Sequence, residues 1–70
     1  MAEQAIDELR AIVSRLREGT YLRLLPSAFS RYFGEGVRGR MAAYEFATDN
    51  DCTVEVEEKD DLLGANFTRK

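Results

Sequence analysis

The N-terminal stretch has the apolar spacing of an amphipathic helix. Four large apolar residues recur at intervals of three and four: Ile6, Leu9, Val13 and Leu16. This period is typical of a helix that buries one face. Acidic residues come early in the stretch and arginines late, which complements the helix dipole. The pattern predicts a helix from about residue 3 to residue 18, with Gly19 as its C-terminal stop.

The next segment predicts a short strand, a brief helix and a loop. Residues 20–25 alternate in the manner of a strand, although a leucine-rich run this short is also compatible with a helix. Pro26 ends that run, and Ser27 can cap a helical segment that extends to Phe33. Three glycines follow within six residues, and they predict a flexible loop.

Residues 42–57 carry the clearest alternation of apolar and polar positions in the chain. Two alternating runs flank the polar triplet Asp49-Asn50-Asp51, which predicts a β-hairpin with its turn at Asn50. In this register the apolar side chains share one face, and Glu45 lies directly opposite Glu55 on the outward face. Opposed like charges destabilise an antiparallel pair by up to about 1 kcal/mol.

A register shift would relieve that repulsion at a larger cost. It would turn several large apolar side chains toward water, at roughly 1.5 to 3 kcal/mol each. We therefore expect an acidic outward face, balanced by Arg23 if residues 20–25 join the sheet, or otherwise by a basic partner.

These elements predict the α+β class: an N-terminal amphipathic helix packed on a small antiparallel sheet that contains a C-terminal hairpin. With 70 residues, the chain is expected to form one small domain with a small core. The residues after about position 60 include an apolar stretch, and whether this tail is ordered stays open.

Composition excludes most catalytic chemistry. The chain has no histidine and a single cysteine, Cys52, so it lacks an imidazole base, a multi-thiolate metal site and an intrachain disulfide. Cys52 falls on the apolar side of the predicted hairpin and is expected in the core. We predict a protein that is not an enzyme, has no cofactor or metal, lies in the cytoplasm and has no membrane segment, because its start is acidic and no apolar run approaches roughly 18 residues.

The charge is unevenly distributed along the chain. Residues 1–40 contain seven arginines and five acidic residues, and residues 41–70 contain three basic and eight acidic residues. The first part therefore carries +2 and the second −5, and together they give the net charge of −3. Charge segregation of this kind is often no more than a solvated face, and it affects solubility and steering more directly than function.

Two motifs resemble ligand-binding loops but lie in the wrong context. Residues 34–39 match G-x-G-x-x-G literally, yet a dinucleotide site needs a preceding strand and a following helix, the reverse of the predicted order. Asp49-Asn50-Asp51 resembles the start of a calcium loop, but the required glycine is replaced by Val54. The arginines around the first motif could still grip a phosphate or single-stranded nucleic acid with an aromatic ring, and this anion-binding alternative uses Arg31, Tyr32, Arg38 and Arg40.

The function that the sequence favours is a non-catalytic protein-interaction module, such as a regulator, adaptor or inhibitor. It would use its acidic face to occlude a basic surface of a partner protein, through Glu45, Asp49, Asp51, Glu55 and Glu57. Nucleic-acid or phosphate binding is the alternative, disfavoured by the sequence pI of about 4.9. A third possibility is a structural subunit of an oligomer. A homodimer also stays open, because the N-terminal stripe spans two heptads.

Overall fold

A computed structural model describes residues 2–70 as three helices and three strands. In chain order they are α1 (Ala2–Ser14), β1 (Tyr21–Leu24), α2 (Pro26–Phe33), α3 (Gly36–Asp49), β2 (Cys52–Lys59) and β3 (Leu62–Arg69). The strands form one antiparallel sheet in the order β1-β3-β2. The predicted α+β class with a C-terminal hairpin is confirmed. Within residues 2–70, every helix is too short or too polar to cross a membrane.

The first elements follow the sequence pattern closely. Helix α1 buries Leu9 and Val13 completely in the core, as the apolar stripe predicts, although it ends at Ser14 and not at residue 18. The centre of the apolar stripe is therefore buried within the chain itself, and it does not support the pairing of two such helices. Residue Gly19 has φ +85°, a conformation that glycine adopts without strain, and its N–H donates to the Arg69 carbonyl at 2.9 Å.

Strand β1 and helix α2 also lie where they were predicted. The helix begins two residues earlier than expected, with Pro26 in its first turn, where the missing N–H costs nothing. The cap residue is Leu25, which contributes no side-chain hydrogen bond, so the predicted capping by Ser27 is wrong.

The predicted hairpin over residues 42–57 is wrong, because its first half is helical. Helix α3 covers Gly36–Asp49 and buries Gly39, Ala43, Phe46 and Ala47, whose spacing of three and four is that of a helix face. The predicted glycine loop is also largely replaced by this helix, since only Gly34 and Gly36 of its three glycines have positive φ. The turn after α3 leads into the sheet and does not join two strands.

The hairpin of the structure consists of β2 and β3. Its two-residue tip, Asp60-Asp61, has φ values of 53° and 64°, the left-handed conformations of a type I′ hairpin turn, which aspartate tolerates. The tail that the sequence left open is therefore the central strand of the sheet, paired on both sides.

Helices cover one face of the sheet. Helix α2 packs on β3, α3 packs on β2, and α1 packs on α2. Four phenylalanines connect these layers: Phe29, Phe33, Phe46 and Phe67. The ring of Phe33 lies 5.2 to 5.8 Å from the other three, as measured between centroids, within the range of favourable aromatic pairs. This cluster fixes α2 and α3 on the sheet and leaves the opposite face of the sheet to solvent.

Candidate functional site

Two exposed surfaces of the molecule differ in chemistry and lie on different elements. The first, called the helix surface below, consists of five of the exposed residues of α2 and α3: Arg31, Val37, Arg38, Met41 and Tyr44. The second, called the sheet surface, lies on the face of the sheet that points away from the core: Tyr21, Arg23, Thr53, Glu55, Glu57, Asn66 and Thr68.

A tight connection positions the helix surface. Only Gly34 and Glu35 separate α2 from α3. The N–H of Gly34 donates to the Ser30 carbonyl at 2.9 Å, and φ of Gly34 is +90°. At Gly39 an added Cβ would lie 2.6 Å from the Gly34 carbonyl oxygen and 3.3 Å from Cε1 of Phe29. A side chain at Gly39 would therefore push α3 away from the turn, so glycine is required for this close approach.

The outer face of α3 is apolar although it faces solvent. Val37, Met41 and Tyr44 follow one another at spacings of four and three, and they are 72%, 57% and 45% exposed. This spacing places them on one side of the helix, opposite the buried Gly39, Ala43, Phe46 and Ala47. Exposed apolar side chains that form a continuous patch are typical of a binding surface.

The structure separates the residues of the predicted anion-binding loop. Arg31 at the end of α2 and Arg38 in the first turn of α3 are exposed on either side of the connection. Arg40 is partly buried and donates to Oε1 of Glu58 at 3.0 Å. Tyr32 is half-buried, with its ring 6.4 Å from that of Phe33. Two of the four residues are thus presented to solvent, and they lie on helices and not on a loop.

The predicted opposition of Glu45 and Glu55 is wrong. Glu45 lies on α3, whereas Glu55 lies on β2 and is paired with Asn66 of β3. Asp49 is the last residue of α3, and Asp51 has φ +59° in the turn that leads to β2. The five acidic residues named from the sequence therefore do not form one strand face.

Part of the acidic strand face is nevertheless present on the sheet surface. Glu55 and Glu57 are both exposed on the outward side of β2, since alternate residues of a strand share a face. Arg23 joins them from β1, as predicted, and its Nη2 lies 3.7 Å from Oε2 of Glu57. The contact passes over Gly64, the residue of β3 paired with Glu57, which has no side chain to block it.

The sheet surface contains a shallow depression of about 370 Å³. It is lined by the side chains of two transverse rows, Tyr21–Thr68–Thr53 and Arg23–Asn66–Glu55. In the second row, Oδ1 of Asn66 is buried and has no hydrogen-bond partner. A buried acceptor without a partner is costly, and because the chain's own atoms enclose this oxygen, the part of the amide that faces the depression is its NH2 group.

The single thiol belongs to the core, as predicted. Cys52 is 3% exposed, and its Sγ donates a weak hydrogen bond to the Asn50 carbonyl at 3.4 Å. Burial raises the pKa of this thiol above its ordinary value, an effect that the nearby Arg69 partly opposes. A thiol of this kind stays protonated and is a poor nucleophile. Across residues 2–70, no cluster of three or more acidic or thiol side chains is arranged to hold a metal ion.

No protein family, curated protein or solved structure matches this chain. The geometry of α2 and α3 therefore carries the functional interpretation. Two consecutive helices joined by a short turn that contains glycine have the connectivity of a helix-turn-helix.

Proposed function

We propose that the protein binds double-stranded DNA through its helix surface, with α3 in the major groove. The observation that supports this proposal is the connection of α2 to α3 by two residues, with the outer face of α3 exposed along its first half. In helix-turn-helix proteins the second helix occupies the groove and the first crosses the backbone. The inference from this arrangement to DNA binding rests on an analogy with the local structure of helix-turn-helix proteins.

The side chains of the helix surface suit the chemistry of the major groove. Arg38 lies in the first turn of α3, the part of a recognition helix that reaches base edges. A guanidinium there can bind guanine or a phosphate, whereas Val37 and Met41 can contact thymine methyl groups. Arg31 at the end of α2 is suited to a backbone phosphate.

The acidic character of the chain limits the affinity that we expect. Glu55 and Glu57 project from the opposite face of the sheet, away from the helices, and Glu45 and Asp49 lie in the second half of α3. Nearer the first turn of α3 lies its exposed cap residue Glu35, three residues before Arg38, and this carboxylate opposes the approach of DNA. Binding should be weak and should fall steeply as salt rises.

Fluorescence anisotropy with a short random-sequence duplex at low salt tests the proposal. We expect measurable binding that Arg38→Gln weakens, with the slope of log affinity against log salt reduced by about 0.9. Arg15→Gln removes the same charge from an exposed residue beyond α1 and should have a smaller effect. If the wild-type protein does not bind the duplex at low salt, or if both variants weaken binding equally, the proposal is wrong.

A second candidate is the occlusion of a basic protein surface by Glu55 and Glu57. Their exposure side by side on β2 supports this hypothesis, while the Arg23 contact with Glu57 already offsets part of their charge. Glu45, Asp49 and Asp51 would contribute only from α3 and the following turn. Charge reversal of Glu55 and Glu57 should abolish binding to a basic partner, and unchanged binding would remove this candidate. The cytoplasmic location predicted from the sequence stays a prediction.

A further inference from the structure

The charges of the sheet surface are arranged in columns. Strand β1 on one side contributes Arg23, and β2 on the other side contributes Glu55 and Glu57. Between them, the outward positions of β3 are uncharged, with Asn66 at the centre. Around Asn66, one edge of the surface is therefore positive and the other negative, whereas the hairpin end of the same face presents Lys59 and the exposed Leu62.

We propose that this sheet surface binds a second copy of the same chain, face to face. The two-fold axis would run parallel to β3 and pass over Asn66. Rotation about such an axis exchanges the two outer columns and keeps each transverse row in place. Arg23 of each chain then faces Glu55 of the partner subunit, and this charge pair forms twice. A self-complementary patch of this kind is what an isologous dimer requires.

The same axis brings together the two central amides. Asn66 faces Asn66 of the partner subunit, so two uncharged and half-buried side chains meet at the centre of the interface, while each buried Oδ1 stays enclosed in its own chain. Face-to-face sheets lie about 10 Å apart, a distance that arginine and glutamate side chains bridge from opposite sides. The dimer therefore pairs Arg23 with Glu55 on both sides of its uncharged centre.

The charges also exclude the other two-fold arrangement of these faces. An axis perpendicular to the strands would place each outer column over itself, so that Arg23 would oppose Arg23 and Glu55 would oppose Glu55. Like charges at this range repel. The intrachain contact between Arg23 and Glu57 is long, at 3.7 Å, and both side chains are more than half exposed. It contributes little, so Arg23 is free to reorient toward the partner.

The association should be weak because the surface is small. Strands β2 and β3 are about 26 Å long and the four-residue β1 is about 13 Å long, so at a spacing of about 4.8 Å they present roughly 300 Å² per chain, less than half the area of a standard interface. We expect a dissociation constant between about 10 μM and 1 mM.

Sedimentation equilibrium over a concentration series tests the dimer and its geometry. Arg23→Glu and Glu55→Arg should each weaken self-association at least about tenfold, because each places like charges across the interface twice. An equimolar mixture of these two variants should associate, since every facing pair is again opposite in charge. The double variant Arg23→Glu/Glu55→Arg should recover the homodimer. Thermal melting of each variant shows whether the monomer is still folded.

Several outcomes would overturn the dimer. A wild-type chain that is monomeric at about 1 mM excludes it, and so does an Arg23→Glu variant that associates as well as the wild type. A mixture that stays monomeric excludes the facing of Arg23 and Glu55. A second measurement does not depend on charge variants: the side-chain NH2 resonances of Asn66, at the centre of the interface, should shift with protein concentration, and constant shifts would contradict the face-to-face contact. None of these tests involves DNA, so they stand apart from the proposed DNA binding.

Discussion

The helix surface and the sheet surface are both exposed, but they differ in what they leave unsatisfied. The helix surface presents three large apolar side chains to water, and Val37 alone is 72% exposed. Apart from Tyr21, which is 65% exposed, the sheet surface is polar, and its charges have counterparts of opposite sign within reach. Covering exposed apolar surface makes association more favourable. Pairing charges across a polar face mainly fixes the relative orientation of the two molecules. We therefore assign the stronger interaction to the helices and the weaker one to the sheet.

The largest effect on stability is expected from a substitution in the core, which supports both surfaces. Phe67 is fully buried, and its ring contacts those of Phe33 on α2 and Phe46 on α3. Phe67→Ala should lower the free energy of unfolding by about 3 to 5 kcal/mol, most of the stability of a chain this small. Urea unfolding followed by circular dichroism measures the loss.

Tyr21→Ala is the control for Phe67→Ala, because it truncates an aromatic side chain of the same sheet that is 65% exposed. Its effect should stay within about 0.5 kcal/mol. Equal losses for the two variants would contradict the assignment of Phe67 to the common core.

The elements behind the two surfaces were not equally visible in the sequence. Residues 42–48 and residues 52–57 both alternate between apolar and polar positions, yet the first run is helical and the second is a strand. The first run is rich in alanine, a strong helix former, and the second contains Val54 and Val56, whose branched side chains favour strands. The alternation of apolar and polar positions alone could not distinguish the helix from the strand, whereas the residue types could have done so.

Glycine and the C-terminal tail account for the remaining differences. Gly36 and Gly39 are typical of a loop, but both lie in α3. Position 39 needs glycine because the Gly34 carbonyl lies too close for any side chain, a contact that no local pattern reveals. Strand β3 contains Gly64, Ala65 and Asn66, which have little strand propensity. It is a strand because it pairs with both neighbours. The row of Arg23, Asn66 and Glu55 depends on that pairing and could not be predicted from the sequence. Arg31 and Arg38 could be singled out because they flank a glycine-rich segment beside an aromatic residue.

The next largest effect is expected from a substitution that should disturb the helix surface more than the sheet surface. Gly39→Ala would place a Cβ 2.6 Å from the Gly34 carbonyl oxygen, so α3 must shift. We expect a loss of about 1 to 3 kcal/mol, as is typical of overpacking, despite the better helix propensity of alanine. Amide chemical shifts should change along α2 and α3 more than on the sheet surface, and DNA binding should weaken.

Gly64→Ala is the matched change on the sheet side. There the added Cβ would lie 3.0 Å from the Leu24 carbonyl oxygen, a less severe contact, so the loss should be smaller and its shifts should centre on β1 and β3. A Gly39→Ala variant that is as stable as the wild type would show that the connection between α2 and α3 is looser than the structure indicates.

A smaller effect is expected from a substitution that changes the charge on α3. Glu58→Gln would release Arg40 from its 3.0 Å ion pair, and the freed guanidinium on α3 could contact a phosphate. The slope of log affinity for DNA against log salt should become steeper by about 0.9, while stability changes by less than about 1 kcal/mol. The double variant Glu58→Gln/Arg40→Gln should return to the wild-type slope. If it keeps the steeper slope, the gain comes from the lost acidic charge and not from Arg40.

The smallest effect concerns Cys52, at the end of β2, and depends on pH. Burial raises the pKa of its thiol above the ordinary value of 9.0, so the folded protein keeps this proton at a pH where the unfolded chain releases it. The contribution to stability is therefore complete below the unfolded pKa and is lost as pH rises toward the folded one. The free energy of unfolding should fall more between about pH 7.5 and 9.5 in the wild type than in Cys52→Ala. Comparing the two pH slopes cancels the cavity that alanine leaves, as well as tyrosine titration, which both proteins share. Parallel slopes would mean that the thiol is as accessible to water in the folded protein as in the unfolded chain, and that this end of the sheet is open.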